Sequence, residues 1–241
     1  MAALPKLATA RAVSPQLVAL RAELASVLAR PHVGDPTLPT GIAALDAALT
    51  GGGLPRGRLS EVVAAPGGGA TALAWQWVAH ALQTGIWAAV IDARGTLAPQ
   101  DWAPFAAHEG AWIIHPPTPA RAAWCADIVL RSGAFGLVVL DSPPALARET
   151  IVRLTRLAYD ADAALVQIHR NDEARSPGTA LRLSVRRPSP TQLAVEIQKG
   201  GAPQQVLLPS APSAPFVLPP ATLHDAPRAR TARSTRANRS G

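Results

Sequence analysis

Between Glu61 and Ala74 the chain reads EVVAAPGGGATALA, a short apolar run, three glycines, then residues that open a helix. That layout suits phosphate binding. A glycine-rich turn at a helix N-terminus presents unpaired backbone N–H groups to an anion, and a lysine neutralises the β/γ charge of a nucleotide. The full pattern is G-x-x-x-x-G-K-[ST]. Here the frame from Ala64 to Thr71 is A-x-x-x-x-G-A-T. Gly67, Gly68, Gly69 and Thr71 keep the cradle and the hydroxyl, while the lysine position is Ala70. A second polar landmark is Asp141, which closes the uninterrupted apolar run FGLVVL.

These groups need a frame. The run Phe135–Leu140 has no alternation, as expected of a strand buried on both faces of a parallel sheet. Strands are expected at 59–63, 86–91, 112–114, 135–140 and 164–168. Helices are expected at 42–49, 71–84, within 95–110, at 120–131 and at 147–159. This alternation predicts an α/β fold, a mostly parallel central sheet flanked by helices. Residues 181–186 and 193–198 alternate as an antiparallel pair around Pro188-Ser-Pro190. Ahead of this core, Ser14-Pro15 opens an amphipathic helix with Leu17, Leu20 and Leu24 on one stripe. It either packs on its own core or docks on a partner. The expected organisation is an N-terminal helix and linker (1–36), a core domain (37–208) and a disordered Pro-rich, then Arg-rich tail (209–241).

Composition narrows the class. The net charge is +7, and the final segment concentrates it, with Arg228, Arg230, Arg233, Arg236 and Arg239 against Asp225. Such a tail suits nucleic acid or an acidic partner surface, or serves only solubility. No aromatic is interleaved with these arginines, so base stacking is excluded. Cys125 is alone, which leaves no disulfide framework and no thiolate metal site. His115 and His169 have no second ligand at metal spacing, so no metal is expected. No apolar run reaches about 18 residues, so no membrane span is expected and the expected location is the cytoplasm. Trp75, Trp77 and Trp87 are expected in the core; Trp102, Trp112 and Trp124 are either core or interface anchors.

From residue 38 to about 201, roughly two-thirds of the chain, the order of features resembles the core of bacterial RecA recombinase, a P-loop NTPase fold. LPTGIAALDAALTGGGLPRGRLSEV resembles the segment leading into the RecA loop. WAAVIDARGTLAP resembles the strand carrying the catalytic Glu, and LRSGAFGLVVLDS the Walker B element. ALRLSVRR resembles a strand that follows the DNA-binding loops. The resemblance puts Arg94 where the water-activating Glu belongs. A guanidinium stays protonated near neutral pH and cannot act as a base. With Ala70 and Arg94 at the two positions that neutralise charge and aim water, phosphoryl transfer is expected to be negligible. Thr71 and Asp141 then read as vestiges of a nucleotide site, and no cofactor is expected, residual ATP·Mg²⁺ binding remaining open.

The long DNA-gripping loops of RecA are also cut short. One is a two-proline link at Pro143-Pro144, and the other shrinks to residues 169–178. Arg170, Arg175, Arg182, Arg186 and Arg187 gather around the second, as candidate phosphate contacts to DNA or as a solvated face pairing with Asp172 and Glu173. This combination is similar to the ImuA family, grouped with SulA-like proteins: degenerate RecA-like accessory proteins of bacterial mutagenesis cassettes. The resemblance implies a role in SOS-induced translesion DNA synthesis and DNA repair. The implied partners are RecA and ImuB, an inactive Y-family polymerase homologue, and indirectly an error-prone replicative-type polymerase. Two alternatives are a weak ATPase using Arg56, Arg58 or Arg94 as its cation, and a non-specific DNA-binding module.

Overall fold

The computed structural model describes residues 37–170, 176 and 178–210. Leu17, Leu20, Leu24, Arg175, Arg228, Arg230, Arg233, Arg236 and Arg239 lie outside the described residues, as do the N-terminal helix and the Arg-rich tail.

The described chain begins with β1 (Thr37–Leu38), α1 (Ala43–Ala48) and β2 (Leu54–Pro55), β1 and β2 pairing as a small antiparallel ribbon. The core follows as β3 (Leu59–Ala64), α2 (Ala70–Gln83), β4 (Ala88–Asp92), α3 (Pro99–Trp102), β5 (Ala111–Ile114), α4 (Ala122–Ser132), β6 (Leu137–Asp141), α5 (Arg148–Asp160) and β7 (Ala164–His169). It closes with β8 (Leu181–Ser189), β9 (Gln192–Lys199) and β10 (Gln205–Pro209). Eight strands form one sheet in the order β10-β9-β8-β3-β7-β6-β4-β5. From β8 to β5 every neighbouring pair is parallel, and β8-β9 and β9-β10 are antiparallel. The expected α/β architecture with a mostly parallel sheet is therefore the observed one.

The period of two along each central strand sorts side chains into two layers. Val62, Ala88, Val90, Leu137, Val139 and Val166 face one layer, which holds Trp77 of α2 and Trp102 of α3. Ala89, Ile91, Val138, Leu140 and Leu165 face the other, which holds α4 and α5 through Ala126, Leu130, Ile151 and Leu154. Both faces are covered, so these strands carry no polar alternation. The antiparallel extension differs. Leu183, Val185, Leu193 and Val195 pack on the first layer, while Arg186 and Glu196 are exposed. β10 was not expected from sequence. It is anchored at its end by Ser210, whose N–H donates to the Thr191 carbonyl (2.8 Å) and whose hydroxyl donates to the Pro190 carbonyl (2.8 Å).

Of the tryptophans expected in the core, Trp77 is fully buried, while Trp75 and Trp87 are half-buried. Trp102 is also core, whereas Trp112 and Trp124 are exposed. Trp112 rests edge-on against Phe135, and Arg121 lies over the Trp124 ring.

Candidate nucleotide site

Because β3, β4, β6, β7 and β8 run parallel, their C-terminal ends open on the same edge of the sheet. That edge is where ligands sit in open α/β sheets. β3 delivers the glycine loop there, β6 delivers Asp141, β7 delivers His169 and Arg170, and β8 delivers Arg187. A cavity of about 520 Å³ results. Residues 64–72 wall it on one side, and Trp75, Trp102, Asp141, Arg170 and Arg187 contribute elsewhere.

The loop backs onto the antiparallel strands. A Cβ on Gly68 would lie 2.8 Å from the Ala65 carbonyl oxygen and 3.2 Å from that of Val185. Gly69 has φ +99°, and a Cβ there would collide with the Leu193 side chain. Both positions therefore require glycine, one for close approach and one for backbone conformation. The Gly68 N–H is turned back to the Ala65 carbonyl (2.8 Å). Past it, α2 begins at Ala70 with no side-chain cap, so its first-turn N–H groups are left for a ligand or water. A 14-residue helix adds its dipole at that point.

Asp141 is 2% exposed. Its Oδ1 accepts the Ser142 hydroxyl (2.7 Å), and its Oδ2 has no hydrogen-bond partner among the described residues. Burial pushes its carboxyl above the usual range, partly opposed by the Ser142 hydrogen bond and the Arg170 charge. Arg170 is fixed beside it. Its Nε donates to Ser142 Oγ (2.8 Å) and its Nη2 to Thr96 Oγ1 (2.7 Å). Arg94, at the end of β4, donates from Nε to the Ser142 carbonyl (3.3 Å).

Asp92 lies across from Asp141 in the β4–β6 register. It is consumed structurally, accepting the Arg94 and Leu97 N–H groups (3.3 and 2.9 Å) with His115 at 3.5 Å.

Next to this cluster lies one that sequence reasoning missed. Glu61, 1% exposed in the middle of β3, accepts Arg182 Nη1 (2.6 Å) and the Ser176 N–H (2.8 Å), with His169 Nε2 at 3.5 Å. Burial alone would raise its pKa. The nearby His169 imidazole, the hydrogen bond from Ser176 and the Arg182 charge outweigh that and hold it at about 2.

Of the five arginines expected as candidate phosphate contacts, the four that are described do not form one outward-facing group. Arg182 is 7% exposed and committed to Glu61 and to Gln198 Oε1 (3.1 Å), so it cannot reach a phosphate backbone. Arg170 turns into the cleft. Arg186 and Arg187 are exposed, Arg186 donating to Gln205 Oε1 (2.7 Å). The substitute cations for a weak ATPase are also misplaced. Arg56 and Arg58 precede β3, a strand length of about 20 Å from the loop at 3.3 Å per residue. Arg56 is held there by the Asp162 and Thr37 carbonyls (2.9 and 3.4 Å). Arg94 does not line the cavity.

The cavity fits the anionic half of a nucleotide, since helix N–H groups, Arg170 and Arg187 all present positive charge to it. Thr71 and Asp141 are the hydroxyl and carboxylate with which a phosphate-loop site would hold Mg²⁺ alongside nucleotide phosphates and water, and Arg170 and Arg187 line the same cleft. Among the described residues no group of three or more His, Cys, Asp or Glu side chains can hold a metal.

Sheet order, glycine loop and terminal carboxylate together define an α/β domain with the architecture of the phosphate-loop fold. The chain belongs to the RecA N-terminal domain family, whose model matches residues 28–156. The RecA protein of Salinispora tropica is 41% identical over 118 residues, which are 48% of this chain and 34% of that protein. That of Frankia casuarinae is 41% identical over 122 residues, 48% of this chain and 35% of that protein. That of Mycobacteroides abscessus is 41% identical over 110 residues, 45% of this chain and 32% of that protein. The chain thus spans about a third of the length of the curated relatives it matches.

Proposed function

We propose that this protein is a non-catalytic RecA-like accessory factor of damage-induced translesion DNA synthesis, of the ImuA kind, working in the cytoplasm through contacts with RecA and ImuB. The observation that carries the reading is the pairing of an intact fold with a dismantled reaction centre. Ala70 supplies no charge at the start of α2, and Arg94 binds the Ser142 carbonyl where a water-orienting carboxylate belongs. Phosphoryl transfer depends on positioning and charge, so a domain lacking both keeps only its surfaces. In this reading the surfaces do the work: the protein resembles a recombinase protomer closely enough to dock beside one without hydrolysing ATP. The N-terminal stripe (Leu17, Leu20, Leu24) and the tail arginines (Arg228, Arg230, Arg233, Arg236, Arg239) are the proposed partner contacts. Any DNA contact falls to Arg186 and Arg187.

Capture of purified RecA and ImuB by the full chain tests this. Both are expected to be retained, and deletion of 1–36 or 209–241 is expected to lose at least one. Retention of neither partner by the full chain would overturn the reading.

No helix among the described residues is long and apolar enough to cross a membrane.

A further inference from the structure

β10 ends at Pro209, and the next residue stands at the wall of the cavity. Ser210 is pinned there by both of its donors, the N–H on the Thr191 carbonyl and the hydroxyl on the Pro190 carbonyl (both 2.8 Å). The chain therefore leaves the sheet from a fixed point on the cavity rim, and residues 211–241 follow. Residues 211–220 read APSAPFVLPP: Pro212 and Pro215 at P-x-x-P spacing, then Phe216, Val217 and Leu218 closed by two more prolines. Such a run is pre-set toward an extended polyproline helix, which docks on aromatic-lined grooves at low entropic cost. The cavity offers that kind of surface. Ala65 and Pro66 are exposed along it, and Ala72 and Trp75 are half-buried. The Trp75 ring is fixed by its indole N–H on the Asp101 carbonyl (2.8 Å) and by Phe105, with ring centroids 5.0 Å apart. At about 3.1 Å per residue, Phe216 reaches roughly 19 Å from Ser210, enough to cross a cavity of about 520 Å³.

A second observation points the same way. Asp141 Oδ2 is buried at the cavity wall without a hydrogen bond among the described residues. Arg170 already stands beside it, held on Ser142 Oγ and Thr96 Oγ1 (2.8 and 2.7 Å), so positive charge is supplied and a hydrogen-bond donor is wanting. We propose that residues 211–220 fold back into the cleft of their own chain, Phe216 seated against Trp75 and the apolar wall of Ala65, Pro66 and Ala72, with the Ser213 hydroxyl or a main-chain N–H satisfying Asp141. The occupant is then a neutral, apolar peptide, and anything else that binds there must displace it. A tether this short holds the segment at an effective concentration on the order of millimolar, so modest contacts suffice to keep it in place. This goes beyond the accessory-factor reading and does not rest on it, since the tail arginines proposed there as partner contacts lie further along the chain.

The test uses the full chain carrying Phe216→Ala, Val217→Ala and Leu218→Ala together, titrated calorimetrically with a synthetic peptide of residues 211–220. The triple variant is expected to bind the peptide, and the parent chain to bind it about tenfold or more weakly, because its own copy competes. A peptide with Phe216→Ala is expected to lose about tenfold or more on the triple variant, as removal of a buried aromatic anchor does. That comparison leaves the protein untouched and so stands whatever a substitution does to folding. Adding Ala72→Arg at the cavity wall is expected to abolish peptide binding. The parent is expected to be monomeric by light scattering. Equal binding to parent and triple variant, binding to neither, or no loss with the Phe-lacking peptide would overturn the proposal. A parent dimer that dissociates in the triple variant would overturn it too, since the segment would then sit in a second copy. Capture of RecA and ImuB reads the accessory role separately.

Discussion

Glu61 and Asp141 are both carboxylates on the central parallel strands, 1% and 2% exposed, yet their surroundings are opposite. Glu61 has every oxygen engaged, by Arg182, by the Ser176 N–H and by nearby His169, and its pKa falls to about 2. Asp141 has one oxygen engaged and one without a partner among the described residues, and its pKa rises. A satisfied buried charge ties β3, β8 and the segment at Ser176 together. An unsatisfied one stores free energy that a bound group can release, which is the usual mark of a site. One region of this edge is closed by its own partners; the other carries a buried carboxylate oxygen with none among the described residues.

The sharpest way to break the contrast is Glu61→Ala. It takes the carboxylate partner from the buried Arg182 guanidinium, which keeps its bond to Gln198 Oε1, and loss of one partner of a buried pair costs about 3–5 kcal/mol. Urea denaturation is expected to show a loss of that size, and a change under 1 kcal/mol would mean the pair is structurally idle.

Acid titration sharpens the same point. Glu61 has a folded pKa lowered from 4.5 to about 2. Its contribution is therefore present above the unfolded value and is lost as pH falls through the window from 4.5 to 2. The loss amounts to up to about 3 kcal/mol at 1.36 kcal/mol per unit. Denaturation midpoints across that window should fall in the parent chain and stay flat in Glu61→Gln.

The smallest effect has the opposite sign. A carboxyl whose folded pKa is raised costs stability once pH exceeds its unfolded pKa. Asp141→Asn removes that cost while its amide oxygen can still accept Ser142. It is expected to raise stability slightly, read as a higher melting temperature than that of the parent chain. A loss of stability would place Asp141 with Glu61 as a structural group.

Much of this edge was legible in the sequence, and the misses have physical causes. The glycine loop and Asp141 were readable because loop-to-helix and strand-end signals are local. The uninterrupted run LVVL announced β6 for the same reason: a strand covered on both faces has no polar side. Glu61 was passed over because its partner Arg182 lies 121 residues away in sequence. A lone acid inside an apolar strand was the available signal, since such a charge is buried only with a partner. Arg170 was read as facing DNA because residues past a strand end give no hint of which way a side chain turns. Its place directly after LVQIH, at the C-terminal end of a parallel strand, pointed equally to the ligand crevice. β10 escaped because QVLLP is short and sits between prolines; it exists because β9 offers it a register.

The central claim is that Ala70 and Arg94 leave a recombinase-family domain unable to turn over nucleotide. Steady-state phosphate release by the purified full chain with ATP and Mg²⁺, compared with Asp141→Ala, tests it most directly. The account predicts release indistinguishable from buffer for both proteins. Sustained release by the parent chain that disappears in Asp141→Ala would contradict it.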